Sequence, residues 1–260
     1  MSLATVFANC RQRNEMALVC YLTAGYPSPA ASRAIVDRVV AAGADVIEIG
    51  IPFSDPIADG PTIQHASHAA LMAGTSLRQL LATLRDHPIG APAVIMSYLN
   101  PLLAYGRDAL MADMRTARLE GLIVPDLPAD ESAEWVAAAR AHRLAMVHMA
   151  APTSTDGRLR EIGRRSDAFV YAVSVTGTTG ARRDLGDEVP AFLDRVRQAT
   201  GKPVAVGFGI SSPEHIERLR GHADGVVVGS RLVEAIRNDE DITVLVRSLK
   251  AATRSESCLS

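Results

Sequence analysis

Two hundred and sixty residues, 48% hydrophobic and 22% charged, supply enough apolar matter for a sizeable core. A formal net charge of −2 excludes the basic bias of a nucleic-acid or anionic-membrane binder. No run of about 18 apolar residues occurs, so no transmembrane helix is expected.

In chain order, residues 1–15 are expected to form a short N-terminal helix. They hold no long apolar stretch of the signal-peptide kind and soon meet Arg11 and Arg13. Short apolar, β-rich runs follow at 17–24, 45–53, 93–99, 121–127, 144–151, 168–175, 203–210 and 225–229. Most are hydrophobic almost throughout, as parallel strands buried on both faces should be. Between them lie stretches of helical spacing. In 29–42 the pairs Ile35/Val39 and Val36/Val40 stand four apart, and Leu77, Leu80, Leu81 and Leu84 repeat the period before His87-Pro88. Ser212-Pro213-Glu214 has the chemistry of a helix start, while Gly43, Gly121 and Gly201 mark returns from helix to strand. Eight such units in about 250 residues predict a single-domain α/β fold over 1–260, a (β/α)8 TIM barrel. Residues from about 253 to 260 are expected to form a flexible tail. A dinucleotide-binding sheet would carry Gly-x-Gly-x-x-Gly after its first strand, where this chain has Thr23-Ala24-Gly25-Tyr26-Pro27.

The three cysteines, Cys10, Cys20 and Cys258, are too few and scattered for a disulfide framework. Free thiols in a reducing cytoplasm are the expectation.

Barrels of this kind carry their chemistry at the carboxyl ends of the strands, often with a phosphate site after strands 7 and 8. Here the seventh run ends Gly207-Phe208-Gly209-Ile210-Ser211 and the eighth Gly229-Ser230. Bare backbone N–H groups at such glycines suit an anion, and the loop 174–182, with Gly177 and Gly180, is placed to close over it. Turn glycines alone would look the same at any one loop; three loops in the expected places favour phosphate.

Glu48 is anomalous within Val46-Ile47-Glu48-Ile49-Gly50. By two-residue alternation Val46, Glu48 and Gly50 share one face and the isoleucines the other. If the isoleucines meet the helices, Glu48 points into the barrel mouth, where burial should raise its pKa. A buried salt bridge to arginine is the competing explanation. The following loop, 52–61, holds three prolines together with Asp55 and Asp59. Either aspartate is a candidate second carboxylate or a plain turn residue, and spacing does not choose between them.

Other chemistries lack their parts. His65 and His68 lie three apart with no third ligand apparent, so no metal site is expected. Ser-His-Asp catalysis lacks its nucleophile elbow. Only Lys202 and Lys250 among the 27 basic residues are lysine, and neither is placed to reach the mouth for imine chemistry. Proton transfer by carboxylates on a phosphorylated small molecule remains.

The segment Glu48-Ile49-Gly50-Ile51-Pro52-Phe53-Ser54-Asp55-Pro56-Ile57-Ala58-Asp59-Gly60-Pro61-Thr62-Ile63-Gln64 closely resembles the signature of the tryptophan synthase alpha chain family. The likeness extends through Tyr21-Leu22-Thr23-Ala24-Gly25-Tyr26-Pro27, Tyr98-Leu99-Asn100-Pro101 and Pro125-Asp126-Leu127-Pro128. It continues in Ala151-Pro152-Thr153-Ser154, Thr179-Gly180-Ala181-Arg182 and Gly207-Phe208-Gly209-Ile210-Ser211. The resemblance implies a lyase that splits indole-3-glycerol phosphate into indole and glyceraldehyde 3-phosphate. It also implies Glu48 as the acid/base and Asp59 as the contact to the indole N–H. By the same resemblance Gly180, Gly209, Gly229 and Ser230 hold the phosphate, Tyr21, Tyr171 and Phe208 surround the ligand, and Thr179 orients Asp59. A beta chain is the implied partner, usually in an α2β2 complex, and pyridoxal phosphate belongs to that partner, leaving this chain without a cofactor. Two positions depart from the family's habit: Cys20 stands where proline is common, and Thr178 where valine is usual. The alternatives are a lyase working without a beta chain, a barrel kept only for regulation, and a phosphosugar isomerase. The last does not account for the 48–64 signature.

Overall fold

The structure, a computed structural model, describes residues 1–173, 188–207 and 209–254. Among the described residues nine parallel strands carry the sheet: β1 (Ala17–Thr23), β2 (Val46–Gly50), β3 (Ala93–Met96), β4 (Gly121–Ile123), β5 (Ala145–Val147), β6 (Met149–Ala150), β7 (Val170–Val173), β8 (Val204–Gly207) and β9 (Gly225–Val228). Their order is β5-β4-β3-β2-β1-β9-β8-β7-β6. Only His148 separates β5 from β6, so the two ends of the row are halves of one stretch and the sheet closes into a barrel. The expected eight strands are present, the fifth interrupted once. At the interruption the His148 N–H donates to Ser166 Oγ at 3.2 Å instead of to a neighbouring strand, and its Nε2 meets Ser132 Oγ at 2.8 Å. Burial drives the pKa of this imidazole down to about 4, so it is neutral near pH 7.

Alternate residues along the strands separate into two cores. Leu18, Cys20, Leu22, Ile47, Ile49, Ile95, Val204 and Val206 pack outward with helix residues such as Val36, Val39, Leu81 and Leu193. Val19, Val46, Val94, Ile123, Val147, Ala205 and Val227 pack inward. Helix α1 (Leu3–Gln12), capped by the Ser2 hydroxyl, adds Leu3, Val6, Phe7 and Cys10 to the inner set and stoppers the barrel's amino-terminal end. Phe7 stacks on Phe169 with ring centroids 4.8 Å apart. The sequence predicts a helix-to-strand turn at Gly121, but Arg118 takes the left-handed turn instead, with φ +59°. Gly121 opens β4, where a Cβ would lie 3.2 Å from Leu3 and 2.6 Å from the Ala145 carbonyl oxygen, so close packing is what requires glycine there.

The helices that frame the mouth begin just after strands: α2 (Pro29–Ala41) after β1, α3 (Pro61–Met72) and α4 (Leu77–Asp86) after β2, α5 (Leu99–Tyr105) and α6 (Arg107–Thr116) after β3. Helix α7 (Ala133–Ala141) follows β4, α8 (Asp156–Arg165) follows β6, and α9 (Glu188–Thr200) precedes β8. Helix α10 (Pro213–Arg218) follows β8, and α11 (Ser230–Arg237) and α12 (Ile242–Ala252) follow β9. Ser212 precedes α10 as expected, although its side chain makes no capping bond.

At the amino-terminal end, Lys250 of α12 bonds Asp45 at 2.8 Å and Glu15 at 3.1 Å. Thr253 is buried, and Arg254 pairs with Glu15 through both backbone and side chain. Residues 253 and 254 are thus held against the barrel, and 255–260, the rest of the expected tail, lie outside the described residues. A second pattern recurs at this end. Asp45, Asp167 and Asp224, each shortly before a strand, accept the N–H of Leu18, Met146 and Val204 at 2.8, 3.0 and 2.9 Å. Their own N–H groups donate back to the carbonyls of the same three residues. Among the described residues no helix is long and apolar enough to cross a membrane.

Candidate active site

Glu48 occupies the middle of β2, in register with Tyr21 of β1 and Val94 of β3. Its neighbours Ile47 and Ile49 face the helices and Val46 the interior, so the alternation turns Glu48 inward. The side chain is 1% exposed, and neither carboxyl oxygen has a hydrogen-bond partner among the described residues. Arginine pairing, the competing explanation, is thus not seen among them. Burial first, and the nearby Asp59 charge second, push its pKa up to about 8.

Asp59 belongs to the segment joining β2 to α3. Its N–H bonds the Pro56 carbonyl at 3.1 Å, and its own carbonyl accepts Gln64 Nε2 at 2.8 Å, which seats it at the start of α3. It is buried, whereas Asp55 is exposed and bonded to its neighbour Ser54. Geometry thereby separates two aspartates that spacing leaves equivalent. Burial pushes the Asp59 carboxyl up to about 6, opposed by the Tyr98 hydroxyl.

Tyr21 and Tyr171 flank the carboxyl pair, each lying over a glycine of the adjacent strand. A Cβ on Gly50 would stand 2.1 Å from the Tyr21 hydroxyl, and one on Gly207 would stand 2.6 Å from the Tyr171 ring. Tyr21 also meets Thr23 Oγ1 at 3.4 Å. Burial, with the charges of Asp59 and Glu48, holds both phenols well above their ordinary pKa. Gly229 packs against Tyr21, and Ser230 opens α11, which brings a helix amino terminus beside the same mouth. Gly209 follows β8 with φ +72°, a conformation that favours glycine. Thr178, Thr179, Gly180 and Phe208 lie outside the described residues.

One residue of this site is not singled out by composition or spacing. Tyr98, 3% exposed, stands immediately before α5; its hydroxyl accepts the N–H of Ala58, the residue before Asp59, at 2.9 Å. Its ring lies 5.3 Å from that of Phe53. The signal that could have found it is its place at the end of the third apolar run, where a barrel strand delivers side chains to the mouth.

Lys202 precedes β8 and Lys250 is bound to Asp45 and Glu15, so both sit at the end opposite the mouth. Among the described residues no group of three or more His, Cys, Asp or Glu is arranged to hold a metal ion. A buried carboxyl with a raised pKa, a second buried carboxyl and glycine-lined strand ends therefore meet at one mouth, an arrangement suited to proton transfer on a small ligand.

Residues 7–258 match the family model described as tryptophan synthase alpha chain. The chain is 43% identical over 254 residues to the tryptophan synthase alpha chain of Solibacter usitatus, covering 97% of this chain and 95% of that one. It is 45% identical over 237 residues to the same-named chain of a Roseiflexus species, covering 90% and 91%. A solved structure of Mycobacterium tuberculosis tryptophan synthase superposes with a TM-score of 0.92 at 42% identity, covering 97% of this chain and 98% of that chain. Tryptophan synthase subunit alpha from Legionella pneumophila gives 0.88 at 30% identity, covering 97% and 98%.

Proposed function

The chain belongs to the tryptophan synthase alpha chain family, and from that premise we propose how its barrel mouth splits indole-3-glycerol phosphate into indole and glyceraldehyde 3-phosphate. The reaction is that of a carbon–carbon lyase. A retro-aldol cleavage needs an electron sink, and the indole ring supplies one once carbon 3 is protonated. Glu48, protonated at neutral pH by its burial, gives that proton and makes the ring an indolenine cation. The resulting carboxylate takes the proton of the side-chain hydroxyl. As that bond's electrons form the aldehyde carbonyl, the bond to carbon 3 breaks and its electron pair restores the indole. One proton enters and one leaves, so Glu48 ends as it began. Asp59 faces the ring N–H and stabilises its positive charge. Tyr21, Tyr171 and Phe208 enclose the ring, Thr179 orients Asp59, and Gly180, Gly209, Gly229 and Ser230 hold the phosphate.

The observation that carries this reading is a buried carboxyl without a hydrogen-bond partner among the described residues, beside a second buried carboxyl. General acid–base assistance of this kind is worth about 10²–10⁴-fold. Steady-state cleavage of indole-3-glycerol phosphate tests it: Glu48→Gln should still bind the substrate and lose most turnover. Cleavage near the parent rate would overturn the assignment.

The chain acts as one domain in the cytoplasm and passes indole to a beta chain in an α2β2 assembly. Pyridoxal phosphate is held by that partner, and this chain's own step needs no cofactor. Strong stimulation of cleavage by added beta chain is the expected outcome; no stimulation would indicate a lyase that works alone.

A further inference from the structure

We propose that Gln64 and Tyr98 are positioning residues, a two-point clamp that grips the backbone on either side of the Asp59 side chain and so sets its carboxyl against Glu48. The inference rests on the reading above, in which the two carboxyls act on one ligand. From the position before α5, the Tyr98 oxygen accepts the Ala58 N–H at 2.9 Å. From the first turn of α3, Gln64 Nε2 donates to the Asp59 carbonyl at 2.8 Å, and the Gln64 N–H donates to the Gly60 carbonyl at 2.9 Å. The peptide group before Ala58 and the one after Asp59 are thus both held, and they bound a span of two residues. Its ends are tied to different helices.

The two carboxyls need unlike support. Glu48 takes its place from β2, which pairs with β1 on one side and β3 on the other. Asp59 belongs to no strand or helix, and Ser54, Asp55, Ile57 and Ala58 before it are exposed. The bonds within this loop are local: Ile57 N–H to the Asp55 carbonyl at 2.9 Å and Asp59 N–H to the Pro56 carbonyl at 3.1 Å. Such bonds shape a turn without fixing where on the barrel the turn lies. The clamp supplies that placement, and both of its arms are anchored. The Tyr98 ring is buried with its centroid 5.3 Å from that of Phe53, and the N–H of the next residue, Leu99, bonds Asp126 Oδ1 at 2.9 Å. Helix α3 buries Ile63 and Ala66 on either side of Gln64 in sequence. A displacement of about 1 Å in a reacting group can cost about 10²-fold in rate, so a carboxyl carried by an exposed loop gains most from being held at both ends.

Gln64→Leu keeps a side chain of similar size and removes the amide donor; Tyr98→Phe keeps the ring against Phe53 and removes the acceptor. With beta chain present, each should lower kcat for indole-3-glycerol phosphate about tenfold while changing KM less than about threefold. In an Asp59→Asn background neither change should add a further loss, because the clamp acts through that carboxyl. An unchanged kcat in either variant, or an equal loss in that background, would overturn the proposal. Amide hydrogen exchange in the chain alone gives a readout without turnover. The Ala58 N–H, which bonds Tyr98, should exchange about tenfold faster in Gln64→Leu, although Gln64 bonds only the carbonyls of the next two residues. Unaltered exchange at Ala58 would show two independent contacts and no clamp. Failure of the lyase reading would be seen separately, as normal cleavage by Glu48→Gln, and leaves the exchange measurement able to decide on the clamp.

Discussion

Burial at Glu48 gives the carboxyl a useful pKa and works against the fold. Its pKa rises from an ordinary 4.5 to about 8 on folding. Between those values the folded chain keeps a proton that the unfolded chain has released, so this group's contribution to stability falls as pH rises across the window. Every tenfold gain in proton affinity on folding corresponds to about 1.4 kcal/mol. Glu48→Gln should therefore resist urea better than the parent at pH 9 and lose that advantage near pH 4.5, as midpoint measurements at the two values would reveal. A different liability sits at Gly50, where an added Cβ would meet the Tyr21 hydroxyl at 2.1 Å. Gly50→Ala should displace Tyr21 and cut turnover about tenfold or more, while circular dichroism still reports a folded barrel. Glu48 was legible in the sequence because a charge in an apolar alternation has few places to go. Asp59 was not separable from Asp55, since both stand in a proline-rich turn and only the folded loop buries one of them.

Strand positions were readable because burial on both faces leaves runs of apolar residues, but their ends were not. The runs at 45–53, 93–99, 121–127 and 203–210 continue past the paired residues of β2, β3, β4 and β8. Ile51, Tyr98, Val124, Leu127 and Ile210 are buried without belonging to a strand, since the mouth loops fold back over the core. Hydrophobicity reports burial, and pairing stops sooner. The break at His148 was hidden for a related reason: its N–H bonds Ser166, a residue eighteen positions away. Helix α1 is another element whose role only the fold discloses. Its length and cap are local properties, but the inner core that receives Phe7 is assembled from strands across the chain. Phe7→Ala removes a buried ring stacked on Phe169 and should cost about 3–5 kcal/mol, measurable as a lowered unfolding midpoint with circular dichroism near 25 °C little changed.

On the whole molecule, the side carrying the chemistry exposes two apolar side chains that can meet the proposed beta chain. Ile57, in the loop after β2, is 81% exposed, and Leu103 of α5, after neighbouring β3, is 56% exposed. Leu103 has no part in the proposed chemistry. Leu103→Glu should weaken stimulation by the beta chain several-fold while leaving the uncomplexed rate unchanged, a comparison made by titrating beta chain into the cleavage assay. The opposite end of the barrel has a different duty. There Asp45, Asp167 and Asp224 each grip both backbone groups of one residue in the preceding stretch of sheet, fixing the sliding position of one strand against the next. Alignment is thus settled at the floor, two strands at a time, by side chains remote from any ligand. Loops at the ceiling inherit that alignment without having to maintain it, so their composition is free to follow chemistry and partnership.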